Sequence, residues 1–486
     1  MKKAGLASLL AVIFLLCLPA PAQAEKPNVL LIIVDDLNDW LSCMKGHPQA
    51  ATPNIDRLAA SGVLFTNAYC QAPLCGPSRV SFWYGRRPST TGVYANFPKE
   101  YKKIPTLQGA ETMPTCFAAN GYATLAVGKL FHNGYTPNPN RTEFQIAGPW
   151  DDDPFGPYPA KKIHTPDGKG KDLAGYDWGF PYESDEEPLD YRYTTWADEQ
   201  IRQPRKDPFF LALGMTKTHL PHFSAKQYEK QFPVRTIQLP PILENDLDDV
   251  PAFGRAINAA PAMPSHAWVE ANKELPGMVQ AYLACVASVD KQVGRVLDAL
   301  EAAGKAGSTI VVLTSDNGMH RGEKEQYEKW TLWSRSTHVP LIISVPGGVK
   351  GGQCREPVEL LDIYPTLLDL CGLPPVAGLE GRSLRPQLAD PSCPRDHPAI
   401  TTWYPKNHSI QTVKWNYIRY ADGTEELYNK KNDPNERKNL AGTDAAKKVV
   451  PELARWLPAH DEPPVSGSDY NAVPQVVRDR EDWTKN

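Results

Sequence analysis

Beyond residue 24 the sequence has no apolar run approaching the roughly 20 residues needed to span a bilayer, which excludes a membrane-spanning helix from that part of the chain. It has no excess of positive charge either. Lys and Arg number 52 against 56 Asp and Glu, for a net charge of −4, which argues against nucleic acid as a partner. The cysteines lack any C-x-x-C or zinc-ligand spacing. Internal repeats and low-complexity tracts are absent. With 12 Trp and 20 Tyr, the composition does not suit a disordered chain.

Proline, by contrast, is abundant at 47 residues, roughly twice its usual share, and with 34 Gly it implies long ordered loops. Residues 1–24 read as an export signal. Lys2 and Lys3 form the charged start, Leu6 to Leu18 the apolar stretch, and Ala22-Gln23-Ala24 an A-x-A cleavage site. Cys17 follows Leu15-Leu16 and does not fit a lipoprotein anchor. The expectation is an exported chain, periplasmic or secreted, starting near Glu25 and free of the membrane after cleavage. Loss of Lys2 and Lys3 makes it more acidic still. Of the remaining cysteines, Cys43, Cys70, Cys75, Cys116, Cys285, Cys354, Cys371 and Cys393, Cys285 lies on an apolar helix face and reads as a buried thiol. If Cys75 has chemistry of its own, seven remain, and at least one must be unpaired.

Val29 to Val34 is a continuous apolar run, the signature of a strand buried on both faces of a parallel sheet. It ends in Asp35-Asp36. Thr52-Pro53 is placed to cap a short helix over 55–60, which Gly62 ends. Tyr122 to Val127 and Phe209 to Leu213 read as further strands, running into Gly128-Lys129 and Thr216-Lys217-Thr218-His219. Met278 to Leu300 has the 3.6-residue apolar stripe of a helix, with Met278, Tyr282, Cys285, Val289 and Val293 on one face. Ile310 to Leu313 is a fourth strand, leading to Ser315-Asp316-Asn317-Gly318. Alternating strands and helices predict an α/β fold with a doubly wound, mostly parallel sheet. Past a boundary near Pro386 to Pro394, Thr412 to Tyr420 and Glu425 to Tyr428 read as a hairpin. A helix over 445–456 follows, broken at Pro451. This divides the chain into a signal (1–24), a catalytic domain (25–388) and a smaller α+β subdomain (389–486).

Polar residues gather where the strands end. Asp35-Asp36, Lys129, His219 and Asp316-Asn317 lie at or just past the carboxyl ends of four predicted strands, the edge at which open α/β sheets bind ligands. Asp35-Asp36 alone is explained equally well as a helix cap. A second strand end bearing Asp316-Asn317 favours a hard-cation site for Ca²⁺ or Mg²⁺. Lys129, His132, His219 and Lys329 would each pass as ordinary core or surface residues if they stood alone, and His222 and His338 read as structural. In Cys75-Gly76-Pro77-Ser78-Arg79 a cysteine stands at a helix mouth. Pro77 suits the first turn, free N–H groups attract an anion, and Arg79 adds a cation.

That pentapeptide, followed by Gly85-Arg86-Arg87-Pro88, resembles the signature of the type I, formylglycine-dependent sulfatases. Support runs through Val34-Asp35-Asp36, Thr52-Pro53-Asn54-Ile55-Asp56, Gly128-Lys129, Ser315-Asp316-Asn317-Gly318, Thr337-His338-Val339-Pro340 and Asp422-Gly423-Thr424-Glu425-Glu426-Leu427-Tyr428. Gly128-Lys129-Leu130-Phe131-His132 and Lys217-Thr218-His219-Leu220-Pro221 are most similar to the iduronate-2-sulfatase branch. Asn317 departs from that branch's His, and Trp83-Tyr84 from the usual Leu-Thr. The resemblance implies an alkaline-phosphatase-like fold with one Ca²⁺ held by Asp35, Asp36, Asp316, Asn317 and the modified Cys75. It also implies that a maturation enzyme oxidises Cys75 to formylglycine, whose hydrate attacks sulfur, expels the alcohol and re-forms the aldehyde as sulfate leaves. Arg79 and Lys129 would orient the hydrate and His132 would assist elimination. His219 and Lys329 would hold the sulfate, one of them protonating the leaving oxygen.

The expected function is removal of sulfate from sulfated sugars derived from glycosaminoglycans or other polysaccharides. A phosphonate or phosphodiester hydrolase of the same superfamily and a choline-type small-molecule sulfatase remain alternatives. So does a catalytically silent carbohydrate-binding protein, although every expected ligand and base position is filled.

Overall fold

A computed structural model describes residues 26–96, 100–132, 139–149, 156–166, 175–259 and 263–466; the export signal read at residues 1–24 lies outside them. The strands are β1 (Asn28–Val34), β2 (Val63–Tyr69), β3 (Ala123–Gly128), β4 (Ile146–Ala147), β5 (Trp178–Tyr182), β6 (Phe209–Met215), β7 (His222–Ala225), β8 (Thr309–Ser315), β9 (His338–Ser344), β10 (Gly352–Cys354) and β11 (Val358–Glu359). All but β5 and β7, which pair with each other, join one nine-stranded sheet. Its order is β10-β2-β9-β8-β1-β6-β3-β4, with β11 alongside β2. Every pairing is parallel except those of β9, which is antiparallel to both β2 and β8.

The apolar run in β1 is explained by its position. Val29, Leu31 and Ile33 pack into a core on one face of the sheet, while Leu30, Ile32 and Val34 pack into a second core on the other. A strand covered on both sides has no polar face to show, so alternation disappears. The helix Leu275–Ala302 supplies Val279, Tyr282, Leu283, Val286, Val289 and Val293 to the second core. Helices Cys75–Tyr84 and Ile363–Leu370 cover the first.

Register aligns the strand ends that matter. Val34 pairs with Met215 of β6 and with Ser315 of β8, and Gly128 of β3 pairs with Gly214. The residues that follow these strands therefore leave the sheet at one level. Gly128 has φ +76°, and a Cβ there would lie 2.0 Å from the Gly214 carbonyl oxygen; only glycine fits where Lys129 turns out of the sheet.

Strands β12 (Ala399–Thr402), β13 (His408–Gln411), β14 (Trp415–Arg419) and β15 (Glu425–Asn429) form a separate antiparallel sheet in that order. The expected hairpin is β14–β15, and two earlier strands extend it. Two expectations need correction. The last helix, Asp444–Ala454, passes through Pro451 without a break; Ala446 and Leu453 pack on Ile400, Ile410, Tyr417 and Leu427, and the exposed ring is tolerated at the loss of one backbone bond. Thr52 does stand at the N-cap of helix Pro53–Ser61, but its side chain makes no cap bond. Its hydroxyl lies 3.2 Å from Asp56 Oδ1 and 3.1 Å from Ser42 Oγ instead. The eight described cysteines are all free thiols, Cys285 buried among them. No helix among the described residues is long and apolar enough to cross a membrane.

Ile32 has no exposed surface. Ile32→Ala is expected to cost about 2–5 kcal/mol of stability through lost burial and a residual cavity, measurable by urea unfolding.

Candidate active site

The helix Cys75–Tyr84 begins at the edge where these strands end, with Cys75 as its first residue and Leu74 at the N-cap in extended conformation. Gly76 sits so close to the neighbouring loop that a Cβ would meet Asn96 Oδ1 at 2.6 Å, and its N–H donates to that same oxygen at 3.0 Å. One turn further, Arg79 is buried and spends its guanidinium on three strand ends. Nε donates to Asp316 Oδ2 at 2.8 Å, Nη2 to Asp35 Oδ1 at 3.0 Å and Nη1 to the Lys129 carbonyl at 2.5 Å. Ser78 Oγ donates to the Asp316 carbonyl at 2.5 Å. The helix is thus tied to the ends of β1, β3 and β8 by its own first turn.

Asp35, Asp36, Cys75 and Asp316 each bring one ligand atom to within 4.8 Å of the others. The Asp36 backbone is left-handed, with φ 60°, a conformation that costs a non-glycine residue about 1 kcal/mol or more. Its surroundings hold it there. Its N–H donates to Asp316 Oδ1 at 3.1 Å, and its carbonyl accepts from the Tyr282 hydroxyl at 2.8 Å. Tyr282 in turn accepts from Asn38 N–H at 2.9 Å. The Asp35 carbonyl accepts from Thr218 through both its N–H (3.0 Å) and its hydroxyl (3.1 Å).

Cations stand against the same carboxylates. Lys129 Nζ donates to Asp35 Oδ2. Lys329 Nζ lies 2.5 and 2.6 Å from the two oxygens of Asp36 and 3.1 Å from Cys75 Sγ. Burial disfavours the charged forms of Asp35, Lys329 and Asp316, and opposite charges nearby offset it to different degrees. Burial pushes Asp35 upward, yet Lys129, His219 and Arg79 hold its pKa well below the usual carboxylate range. Burial likewise opposes the Lys329 charge, and Asp36 more than compensates, holding its pKa well above the ordinary value. Burial raises Asp316 to about 6, and Arg79 only partly offsets this. Burial, reinforced by Asp316 and Asp35, keeps the Cys75 thiol well above its ordinary value.

The histidines stand around this cluster. His219 Nδ1 donates to the Leu220 carbonyl at 2.7 Å and points Nε2 toward Asp36, 3.7 Å away. Burial and then Lys329 lower its pKa to about 4, so the ring is neutral at pH 7 with its lone pair facing the cleft. His132 is anchored through its backbone N–H to the Tyr101 hydroxyl at 3.2 Å. Burial and Lys129 hold its pKa well below 6.5. All ten residues singled out in the sequence therefore meet at one edge of the sheet. The two histidines read as structural bond elsewhere: His222 Nε2 lies 2.8 Å from Arg321 Nη2, and His338 Nε2 lies 2.9 Å from the Thr66 carbonyl.

The residues fit a hard divalent cation. Three carboxylates converge, and Asn317 donates through Nδ2 to Asp36 Oδ1 at 2.8 Å while its Oδ1 is buried with no hydrogen-bond donor. A buried amide oxygen without a donor costs energy, and an ion among these carboxylates would use it as a ligand. A second carboxylate–histidine group, Glu359, Asp362 and His397, is already satisfied by cations. Arg87 forks onto Glu359 at 2.5 and 2.7 Å, and Arg395 Nη2 meets Asp362 at 2.8 Å and His397 at 2.6 Å.

Three supporting residues carried no signal in the sequence. Tyr282 looks like one more apolar position on a helix face, Ser78 is merely part of the motif, and Arg321 lies in a loop. Arg321 is buried, donates to the Tyr176 hydroxyl at 3.1 Å and covers the Tyr282 ring at 4.3 Å.

The fold is alkaline-phosphatase-like, with a large, mostly parallel sheet and a small antiparallel one. The family model described as Sulfatase matches residues 27–373, and one described as N-sulphoglucosamine sulphohydrolase, C-terminal, matches residues 322–462. A sulfatase of Formosa agariphila is 40% identical over 470 residues, covering 94% of this chain and 91% of that protein. Iduronate 2-sulfatase of Homo sapiens is 34% identical over 405 residues, covering 73% and 70%. The solved structure of a 2-O GAG sulfatase superposes with TM-score 0.68 at 25% identity, covering 89% and 91%. The chain belongs to the sulfatase family, and its activity is that of a sulfuric ester hydrolase.

Two outcomes follow from the charge arrangement. Arg79→Gln leaves Asp35 and Asp316 buried without their shared cation and is expected to cost about 3–5 kcal/mol, read by denaturant unfolding. For His219, the folded pKa of about 4 lies below the ordinary 6.5, so the unfolded chain takes up a proton first as pH falls. Its stabilising contribution is complete above pH 6.5 and is lost between 6.5 and 4. In protein stripped of divalent metal, His219→Gln should flatten the fall in melting temperature across that window.

Proposed function

We propose that this sulfatase is exported, uses a formylglycine made from Cys75, and removes sulfate from sulfated sugars of glycosaminoglycan or polysaccharide origin, in the manner of a uronate 2-O-sulfatase. The catalytic portion would span residues 25–388 and a C-terminal portion residues 389–486. The observation that carries this reading is the charge balance at the strand ends. Asp35, Asp36 and Asp316 are matched by Arg79, Lys129 and Lys329, so a divalent ion would leave the cleft net positive and ready for an anionic ester. The sugar assignment draws support from the likeness to iduronate 2-sulfatase and to a 2-O GAG sulfatase.

The thiol itself is poorly suited to attack. Burial and two neighbouring carboxylates hold it in the protonated form, and the thiolate is the nucleophilic species. An aldehyde at this position, once hydrated, would supply an oxygen nucleophile in its place. Ca²⁺, held by Asp35, Asp36, Asp316, Asn317 and the converted residue 75, would supply Lewis-acid stabilisation of charge on the sulfate oxygens. Arg79 and Lys129 would fix the nucleophile's orientation, and His132 would take a proton as sulfate departs. Lys329 and His219 would grip the sulfate. Of the two, Lys329 is the one that carries a proton toward the ester, since His219 Nε2 can carry one only in a charged ring that its surroundings oppose.

In protein made with a formylglycine-generating maturation enzyme, mass spectrometry of the peptide spanning residue 75 should show loss of sulfur and reactivity toward carbonyl reagents. An active enzyme with an intact Cys75 thiol would overturn the mechanism. Lys329→Ala should lower kcat/KM on a sulfated saccharide about a hundredfold or more. Sulfate release from a panel of sulfated saccharides tests the substrate: terminal 2-O-sulfated uronates should react fastest, and a preference for aryl phosphodiesters over every sulfate ester would refute the reading.

A further inference from the structure

A cavity of about 590 Å³ opens between the large sheet and the four-stranded sheet, and it shares no lining residue with the catalytic cluster. Its size is that of an ordinary ligand pocket. Its charge is unusual for a chain of net charge −4. Arg335, Arg355, Lys414, Lys430 and Lys431 line it, with Asp39 as the one carboxylate. Asp39 is already engaged by Arg335 at 2.7 Å, and Glu323 approaches the same guanidinium at 3.2 Å.

The other four cations have no carboxylate within ion-pair distance among the described residues. Lys430 is the innermost in character. Its ammonium donates to the Tyr69 hydroxyl at 2.7 Å and to Gln411 Oε1 at 2.9 Å, and lies 4.9 Å above the Tyr69 ring. An ammonium has three N–H groups, and these two acceptors are neutral. Glu436 acts on Lys430 only from beyond ion-pair range and is itself bound by Ser334 and Asn416. Burial accordingly pulls Lys430 down to about 7.

Like charges gathered in a concavity repel one another, and a multivalent anion relieves the repulsion. Arg355, Lys414 and Lys431 are exposed and line the cavity with Lys430, and Asn67 and Ser334 add neutral polar groups to the wall. We propose that this cavity is a second binding site for a saccharide chain bearing sulfate or carboxylate groups, separate from the ester being cleaved. The proposal rests on the reading that the substrate is a sulfated saccharide. The site holds the polymer while one ester reacts at the sheet edge, so it acts on KM for long substrates and leaves small ones untouched.

The test uses the full chain. Arg355→Ala/Lys414→Ala/Lys431→Ala is compared with a control that removes three exposed lysines elsewhere, Lys206, Lys230 and Lys448; Lys430→Met probes the inner wall. Binding of a size-defined heparin fragment is measured by calorimetry in proteins that also carry Cys75→Ala, so that nothing is turned over. The triple variant should bind about tenfold more weakly and Lys430→Met several-fold more weakly, with the control unchanged. In the Cys75 background, the triple variant should hydrolyse a small aryl sulfate normally. Equal heparin affinity in the triple variant and the control would overturn the proposal. Full displacement of the fragment by millimolar inorganic sulfate would also overturn it, leaving a site for the free ion alone. Weakened heparin binding in a protein that desulfates no saccharide would sustain the pocket and sink the substrate reading instead.

Discussion

The site depends on one buried guanidinium. Arg79 holds Asp35, Asp316 and the Lys129 carbonyl at once, fastening the helix that carries Cys75 to the ends of three strands. A lysine could satisfy at most part of this, because its point charge lacks the planar fork that reaches three oxygens in fixed directions. Buried ion pairs return little net stability against well-packed apolar groups. Their value here is geometric: residue 75 cannot drift from the carboxylates without leaving charges stranded.

Around that tie, opposing charges are held close enough to cancel one another and to shift one another's protonation. Lys329 stays charged because it faces Asp36, while His219 stays neutral because burial and Lys329 both resist a second cation there. The contrast between a charged lysine and a neutral ring comes from their surroundings, since neither residue type alone dictates it. The Cys75 thiol meets the same field with the opposite result for reactivity, which is why a sulfur nucleophile is a poor fit for a cleft otherwise well furnished for anionic esters.

Much of this was legible in the sequence, for physical reasons. A strand buried on both faces must be apolar throughout, so β1, β3, β6 and β8 announced themselves, and polar residues just past their ends had to lie on one edge if the strands were parallel. Asp35, Asp36, Lys129, His219, Asp316 and Asn317 follow from that rule. What stayed hidden were residues whose role is a single bond in three dimensions. Tyr282 is spaced like the valines around it, yet its hydroxyl secures the strained Asp36 backbone. Pro451 misled in the other direction, because the sequence rule counts the lost N–H but not the packing of Ala446 and Leu453. The cationic cavity was invisible for a related reason: its lysines and arginines come from stretches far apart in the chain and look like ordinary solvated charges in each.

The single reversed strand has a topological consequence. Because β9 runs against β8, the chain that leaves β8 at the catalytic edge re-enters the sheet at that same edge. Asp316, Asn317 and Lys329 therefore sit on one connection between Ser315 and His338 whose two ends lie at the same edge of the sheet. Such a connection can lengthen, shorten or change sequence between its fixed ends without altering any crossover or the strand order. The fold thus sets aside one segment in which a carboxylate of the acidic cluster, the amide beside it and the lysine that faces them can vary together while the sheet beneath stays the same.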